Sequence, residues 1–272
     1  MFNKKNKELT ILFFGDVMGK IGRRALKKYL PEAKKKYRPD ITITNVENLA
    51  HGSGVTEKTW REVAEAGIDF ATGGNHSFRK AEGVEMLDRD YPLIRPANYP
   101  EGTPGLGYKV VETPKGPLLI ANVMGQLFIR SNEDIGNPFV ALKNILQENP
   151  NIKNILVDMH AETTSEKVGM GLMFDGQVSA VVGTHTHVPT ADCRVLDSGT
   201  AYVTDIGMVG AKNSVIGGEA DVLLAKFADE IQKAHFDIPD SGMCLINAVL
   251  IKIDSTTGRA LSIDRLDSEI EV

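Results

Sequence analysis

Leu9-Thr10-Ile11-Leu12-Phe13-Phe14-Gly15-Asp16 is a short apolar run that stops on a glycine and a carboxylate. A run of this length without polar alternation reads as a strand buried on both faces. Helix and strand signals alternate after it. Ile21 to Tyr37 has helical spacing with lysines and arginines on one face, and Pro31 is expected to break or kink it. Ile41 to Thr44 reads as the next strand and runs into Asn45-Val46-Glu47-Asn48. Thr56 to Ala66 reads as a helix with Thr56 as its N-cap. Ile68 to Thr72 is a strand leading to Gly73-Gly74-Asn75-His76, and Lys80 to Arg89 a helix. Leu93 to Arg95 reads as a short strand.

Past Gly107 the spacing changes. Tyr108 to Glu112 and Leu118 to Val123 flank Thr113-Pro114-Lys115-Gly116, a hairpin signal. Phe139 to Leu146 is a helix. Ile155 to Met159 is a strand that ends at His160, and Ser179 to Val182 one that ends at Gly183-Thr184-His185-Thr186-His187. Arg194 to Leu196 and Ala201 to Thr204 read as a second hairpin. Val222 to Lys233 has a helical pattern, and Cys244 to Ile253 and Ala260 to Leu266 read as closing strands.

The chain has 272 residues, 42% hydrophobic and 25% charged. That suffices to bury a sizeable core without disulfides. Cys193 and Cys244 lie in no paired motif and read as reduced thiols. No run approaches the roughly 18 apolar residues that span a bilayer. Lys4, Lys5 and Lys7 read as a solvated tail, and the expected location is the cytoplasm, with no membrane partner. A net charge of -5 argues against duplex DNA or RNA as the main partner.

The chemistry lies where the strands end. Asp16, Glu47, Asn75, His160 and the pair His185 and His187 each come just after a strand signal, and ligand sites of α/β sheets lie beyond the carboxyl ends of the strands. Taken singly, Asp16 could be a helix cap, Glu47-Asn48 turn chemistry, and His160 a satisfied core histidine. His76 could cap the helix after Gly73-Gly74. His185 and His187, two apart, would share one side of an extended segment. Together, carboxylates, amide oxygens and imidazoles suit divalent metals, and the absence of thiolates argues against a structural zinc site. Four of the six histidines sit at these strand ends. Of the other two, His51 reads as a loop histidine, solvated or lining the pocket, and His235 as a helix-end residue.

The blocks Gly15-Asp16, Glu47-Asn48, Gly74-Asn75-His76, His160 and Gly183-x-His185-x-His187 resemble the calcineurin-like metallophosphoesterase superfamily in content and order. Phe14 to Gly19, Asn45 to Asn48, Arg95 to Pro100 and Asp158 to Lys167 narrow this to a resemblance to the YmdB-type bacterial phosphodiesterases, almost end to end. Two departures from the wider superfamily stand out. Met18 occupies the place of a ligand histidine, and Glu47 that of a bridging aspartate.

The resemblance implies a four-layer α/β/β/α sandwich, two packed mixed β-sheets flanked by helices, as one domain over 1–272. It implies that Asp16, Glu47, Asn48 and His187 hold one metal ion. Glu47 would bridge to a second ion, completed by Asn75, His160 and His185. Iron or manganese is expected, with zinc and magnesium as alternatives. His76 would face the phosphate as acid or charge stabiliser. The implied reaction is hydrolysis of a small nucleotide phosphodiester by a metal-bridging hydroxide, on a 2′,3′-cyclic nucleotide or 3′,5′-cyclic AMP, with phosphate ion binding at the metals. The alternatives are a general phosphomonoesterase, an RNA-end nuclease, or a non-catalytic nucleotide- or RNA-binding regulator. A homodimer or homotetramer is expected, and RNA-processing partners fit the same reading.

Overall fold

The structure, a computed structural model, describes residues 7–129, 134–229, 231 and 237–272. Lys4, Lys5, Lys233 and His235 lie outside them, and the helix expected to reach Lys233 ends earlier, at Phe227, with Ala228 as its C-cap.

The first half runs β1 (Glu8–Val17), α1 (Gly19–Tyr37), β2 (Ile41–Asn45), α2 (Glu57–Ala66), β3 (Phe70–Thr72) and α3 (Ala81–Leu87). The middle runs β4 (Tyr108–Thr113), β5 (Gly116–Met124), α4 (Pro138–Glu148), β6 (Asn154–His160), α5 (Thr164–Met173), β7 (Ala180–Thr184), β8 (Arg194–Val195) and β9 (Ala201–Val203). The last part runs β10 (Met208–Ala211), β11 (Ser214–Val215), β12 (Gly218–Glu219), α6 (Ala220–Phe227), β13 (Met243–Ile246), β14 (Ala248–Asp254), β15 (Ala260–Arg265) and β16 (Ser268–Glu271).

Two mixed sheets form. One has the order β15-β14-β1-β10-β13-β16, with β2 on β1 and β3 on β2; the other is β4-β5-β6-β7-β9-β8. Side-chain alternation on β1 shows how they stack. Leu9, Ile11 and Phe13 pack with Leu118, Ile120, Leu156 and Val182 of the other sheet. Leu12 and Phe14 instead pack with Ile21, Leu26, Trp60 and Val63 of α1 and α2. The second sheet's outer face packs Val123, Val157 and Val181 against Leu142 of α4 and Met170 of α5. The expected four layers are therefore present.

The pairing of β1 with β2 shifts register between Phe14 and Asp16. Val17, an odd position, then lies on the helix side with the even positions Leu12 and Phe14. The shift thus turns Asp16 towards the space between the sheets. Gly15 fits there because its backbone crosses Gly207 so closely that any Cβ would strike the Gly207 carbonyl.

Thr56 caps α2 as expected: its side chain accepts the Thr59 N–H, and Thr59 answers to the Thr56 backbone. Pro31 does not end α1. It and Lys27, whose carbonyl loses its helical donor, are both exposed, so solvent can take the missing bond while the buried face stays continuous. Leu93 makes only a single bridge to Ala71 rather than a strand. The expected Cys244 to Ile253 strand is two strands parted at Asn247. There the chain passes from β10 to β1: the Asn247 carbonyl accepts the Gly15 N–H, and its Oδ1 accepts the Met208 N–H. Among the described residues no helix is long and apolar enough to cross a membrane.

Candidate functional site

Asp16, Glu47, Asn48, His160 and His187 are buried, while Asn75, His76 and His185 are half-buried. All eight meet at one end of the two sheets. His160 Nε2 lies 3.2 Å from Glu47 Oε2, 3.0 Å from Asn75 Oδ1 and 3.1 Å from His185 Nδ1. The other carboxylate oxygen, Glu47 Oε1, faces a second group. Asn48 Nδ2 is 3.1 Å from it and 3.2 Å from His187 Nε2, and Asp16 Oδ1 is 3.9 Å from His187 Nε2. The two oxygens of Glu47 are thus divided between two clusters of donor atoms. A side chain at position 74 would collide with both Glu47 and His160, so the approach of β3's end needs glycine.

Each imidazole has its ring turned by a bond on the far side. His187 Nδ1 donates to the Ile216 carbonyl at 2.7 Å, leaving Nε2 to the site. His185 Nε2 lies 3.1 Å from the Glu162 carboxylate, leaving Nδ1 to the site. His160 Nδ1 is 2.9 Å from Thr184 Oγ1, and that hydroxyl donates to buried Asp158 at 2.7 Å. Asp158 also accepts from Thr72 and Asn45, so the relay joins the two sheets. Such outer partners fix the tautomer and aim of metal-binding histidines. Asp158 and Glu162 have no role in the sequence reading. A charge in the middle of Ile155-Leu156-Val157-Asp158-Met159 was the available signal for Asp158, since a buried charge needs partners.

His185 and His187 do not sit on an extended segment. Their φ values are 97° and 65°. The turn this makes sends the two rings to different clusters rather than to one point. Asn48 presents Nδ2 to Glu47 and His187, and its Oδ1 accepts from His76 Nδ1 at 2.8 Å. Ligation through Oδ1 requires that amide to turn over. His76 does not cap α3, whose N-cap is Lys80. Its backbone N–H donates to Glu47 Oε2 at 2.9 Å and its ring faces the cavity. His51 is both exposed and on the cavity wall.

The electrostatics show how much charge is packed here. Burial pushes the Asp16 carboxyl up to about 6, against the lowering effect of His187 and His160. Burial also opposes the charge on Glu47, but His160 and His76 outweigh it and hold this carboxyl well below the ordinary range. Burial likewise opposes a charged His160, yet Glu47 and then Asp16 push the imidazole up to about 9. His185 falls to about 3, through burial first and the His160 charge second. In the protein alone His160 therefore keeps its proton at neutral pH.

The donor set fits cations. Glu47, His160 and His185 bring ligand atoms within 4.8 Å of one another. Asp16 Oδ1 is buried with no hydrogen-bond partner among the described residues. An orphaned buried carboxylate oxygen beside an imidazole nitrogen is what a metal ion would satisfy. Beside it opens a cavity of about 640 Å³.

The same architecture occurs in the 5′-nucleotidase precursor of Thermus thermophilus, at TM-score 0.57 and 12% identity over 97% of this chain and 55% of that one. That likeness shows the fold alone, and the class, a hydrolytic phosphoesterase of the metallophosphoesterase type, is defined by the family match and the more similar relatives. The sequence matches the YmdB-like protein family over residues 12–266. It is 41% identical to the 2′,3′-cyclic-nucleotide 2′-phosphodiesterase of Bacillus subtilis (strain 168), over 95% of this chain and 96% of that protein. It also superposes on a crystal structure described as a novel phosphatase from Mycoplasma pneumoniae, at TM-score 0.91 and 34% identity, covering 100% of this chain and 95% of that one. The chain belongs to the YmdB-like family.

Proposed function

We propose that this protein is a dinuclear-metal phosphodiesterase acting on small nucleotide phosphodiesters, with 2′,3′-cyclic nucleotides as its first substrates and 3′,5′-cyclic AMP as a second. The observation that carries the proposal is the division of Glu47's two oxygens between two donor clusters. Asp16, Glu47, Asn48 and His187 would hold one ion, and Glu47, Asn75, His160 and His185 the other. Imidazole, carboxylate and amide ligands suit iron or manganese, with zinc and magnesium as alternatives. Two such cations supply Lewis acidity at the phosphoryl oxygens and water activated at neutral pH.

The chain's own residues do the rest. His76 is held through Nδ1 by Asn48, which leaves Nε2 to deliver a proton to the departing ester oxygen. Asp158 and Thr184 keep His160 aimed, and Glu162 does the same for His185. The substrate assignment draws on the name of the Bacillus subtilis relative. A cytoplasmic homodimer or homotetramer completes the proposal, and light scattering across a concentration series tests the assembly.

The deciding experiment is metal analysis of the purified protein together with a panel of cyclic nucleotides, phosphomonoesters and RNA ends. Two ions per chain and turnover of 2′,3′-cyclic nucleotides are expected. Glu47→Gln should lose both ions and nearly all turnover. Preference for monoesters or RNA ends would replace the substrate assignment. Full turnover and two ions in Glu47→Gln would overturn the site.

A further inference from the structure

Besides some of the donor residues, the cavity lining includes Met18, His51, Ser53, Arg79, Glu162 and Ile216. Its volume of about 640 Å³ exceeds the needs of one phosphate and lies within the roughly 300–1,000 Å³ of small-molecule sites. Arg79 is the single lysine or arginine among the described residues that line it. The two carboxylates in the same wall are already engaged. Glu47 is bound by His76 and His160, and Glu162 by His185. The exposed Arg79 guanidinium is left without a hydrogen bond or ion pair among the described residues, and so is the hydroxyl of Ser53.

The position of Arg79 is fixed relative to the reacting end. Its backbone N–H donates to the His76 carbonyl at 3.0 Å. Such an i to i+3 turn holds the two Cα atoms within about 7 Å. Its Cβ lies against Gly54, next to Ser53. A long cationic side chain therefore starts one turn away from the proposed acid, on the cavity wall, with no partner among the described residues. Met18 and Ile216 give the cavity an apolar side where a nucleobase can rest.

We infer that Arg79, with Ser53 beside it, forms a second phosphate subsite that takes a phosphate of the substrate other than the one hydrolysed. This rests on the proposed action on nucleotide phosphodiesters. A guanidinium presents a planar fork that matches a phosphate through paired N–H donors. The preferred substrate is then a 2′,3′-cyclic nucleotide that carries another phosphate. The source of that group is either a 5′-phosphate on the same nucleotide or the internucleotide phosphate of a short RNA ending in a 2′,3′-cyclic phosphate.

The test is steady-state kinetics of the metal-loaded full chain on three substrates: adenosine 2′,3′-cyclic phosphate, its 5′-phosphorylated form, and an adenosine dinucleotide ending in a 2′,3′-cyclic phosphate. The native chain should favour a substrate with the added phosphate by about 10- to 100-fold in kcat/KM, mostly through KM, the range of a hydrogen bond to a charged group. A gain with the 5′-phosphate alone assigns a terminal phosphate, and a gain with the dinucleotide alone an internucleotide one. Arg79→Gln should bring that ratio towards one, and Arg79→Lys should restore part of it. Because the ratio is measured within one preparation, it does not depend on the folded fraction. A ratio near one in the native chain, or one unchanged in Arg79→Gln, would overturn the inference alone. No turnover of any of the three would overturn the functional reading and this inference with it.

Discussion

His76 and His160 both bind Glu47, but their surroundings give them different work. His160 is fully buried, with Nε2 among three other donor atoms, whereas His76 reaches the cavity and touches the clusters only through Asn48 and Glu47. His76→Ala should therefore keep both ions while turnover of a cyclic phosphodiester falls by roughly 10²–10⁴-fold, the usual contribution of a general acid or base. The loss should shrink with a nitrophenyl ester, whose leaving oxygen needs little protonation. His160→Ala should instead lose one ion. Metal content of the two variants decides, and an ion lost from His76→Ala would make it a ligand. A second consequence concerns pH. With His160 pushed up to about 9, the unloaded site holds a proton that a cation must displace. Apparent Mn²⁺ affinity should rise between pH 6 and 9, by up to about tenfold per pH unit for one released proton. Calorimetry in buffers of different ionisation enthalpy would show the release; buffer-independent heats and a flat affinity would refute it.

The segment from Gly183 to His187 shows which part of the site could be read from sequence and which could not. Its residue types and place after a strand were legible, because a buried apolar strand ending in paired histidines is a local pattern. Its backbone was not. Left-handed conformations at two non-glycine residues cost of order 1–3 kcal/mol each and persist only where other contacts enforce them. Those contacts are remote in sequence: the His185 N–H donates to Asp16, 169 positions away. The Thr186 N–H and hydroxyl both donate to Asp205, 19 positions away, which is itself paired with buried Lys167 at 2.6 Å. Helix α5, which carries Lys167, escaped the sequence reading for a related reason. Gly169 and Gly171 weaken its helical signal, and Gly171 is needed because the ring of Tyr202 lies where a side chain would start. Lys167→Met would leave Asp205 charged and unpaired in the interior. It should cost about 3–5 kcal/mol. The expected sign is a lower urea midpoint with an unchanged slope. A midpoint equal to the native one would mean that the ion pair does not hold the loop.

At the scale of the molecule, the donor residues come from both sides of the inter-sheet layer. Asp16, Glu47 and Asn75 follow or end strands of the eight-stranded sheet, and His160, His185 and His187 those of the six-stranded one. No single sheet can assemble either cluster completely, so a cation bound there should stabilise the packed state over any state in which the sheets have parted. Binding that is confined to the folded chain stabilises it by about 2.7 kcal/mol per ion at a free concentration one hundred times Kd. For a chain of this size, each kcal/mol moves the melting temperature by about 2–4 °C. Loading both sites should thus raise Tm by about 10–20 °C over the chelated protein, and the rise should grow with the logarithm of metal concentration. Glu47→Gln supplies the control. Without the shared carboxylate it should melt at one temperature with or without chelator. Scanning calorimetry on both proteins, with metal content measured in the same samples, separates the outcomes. If the native chain lost its ions and kept its Tm, the ions would not tie the two sheets together, even if catalysis still needed them.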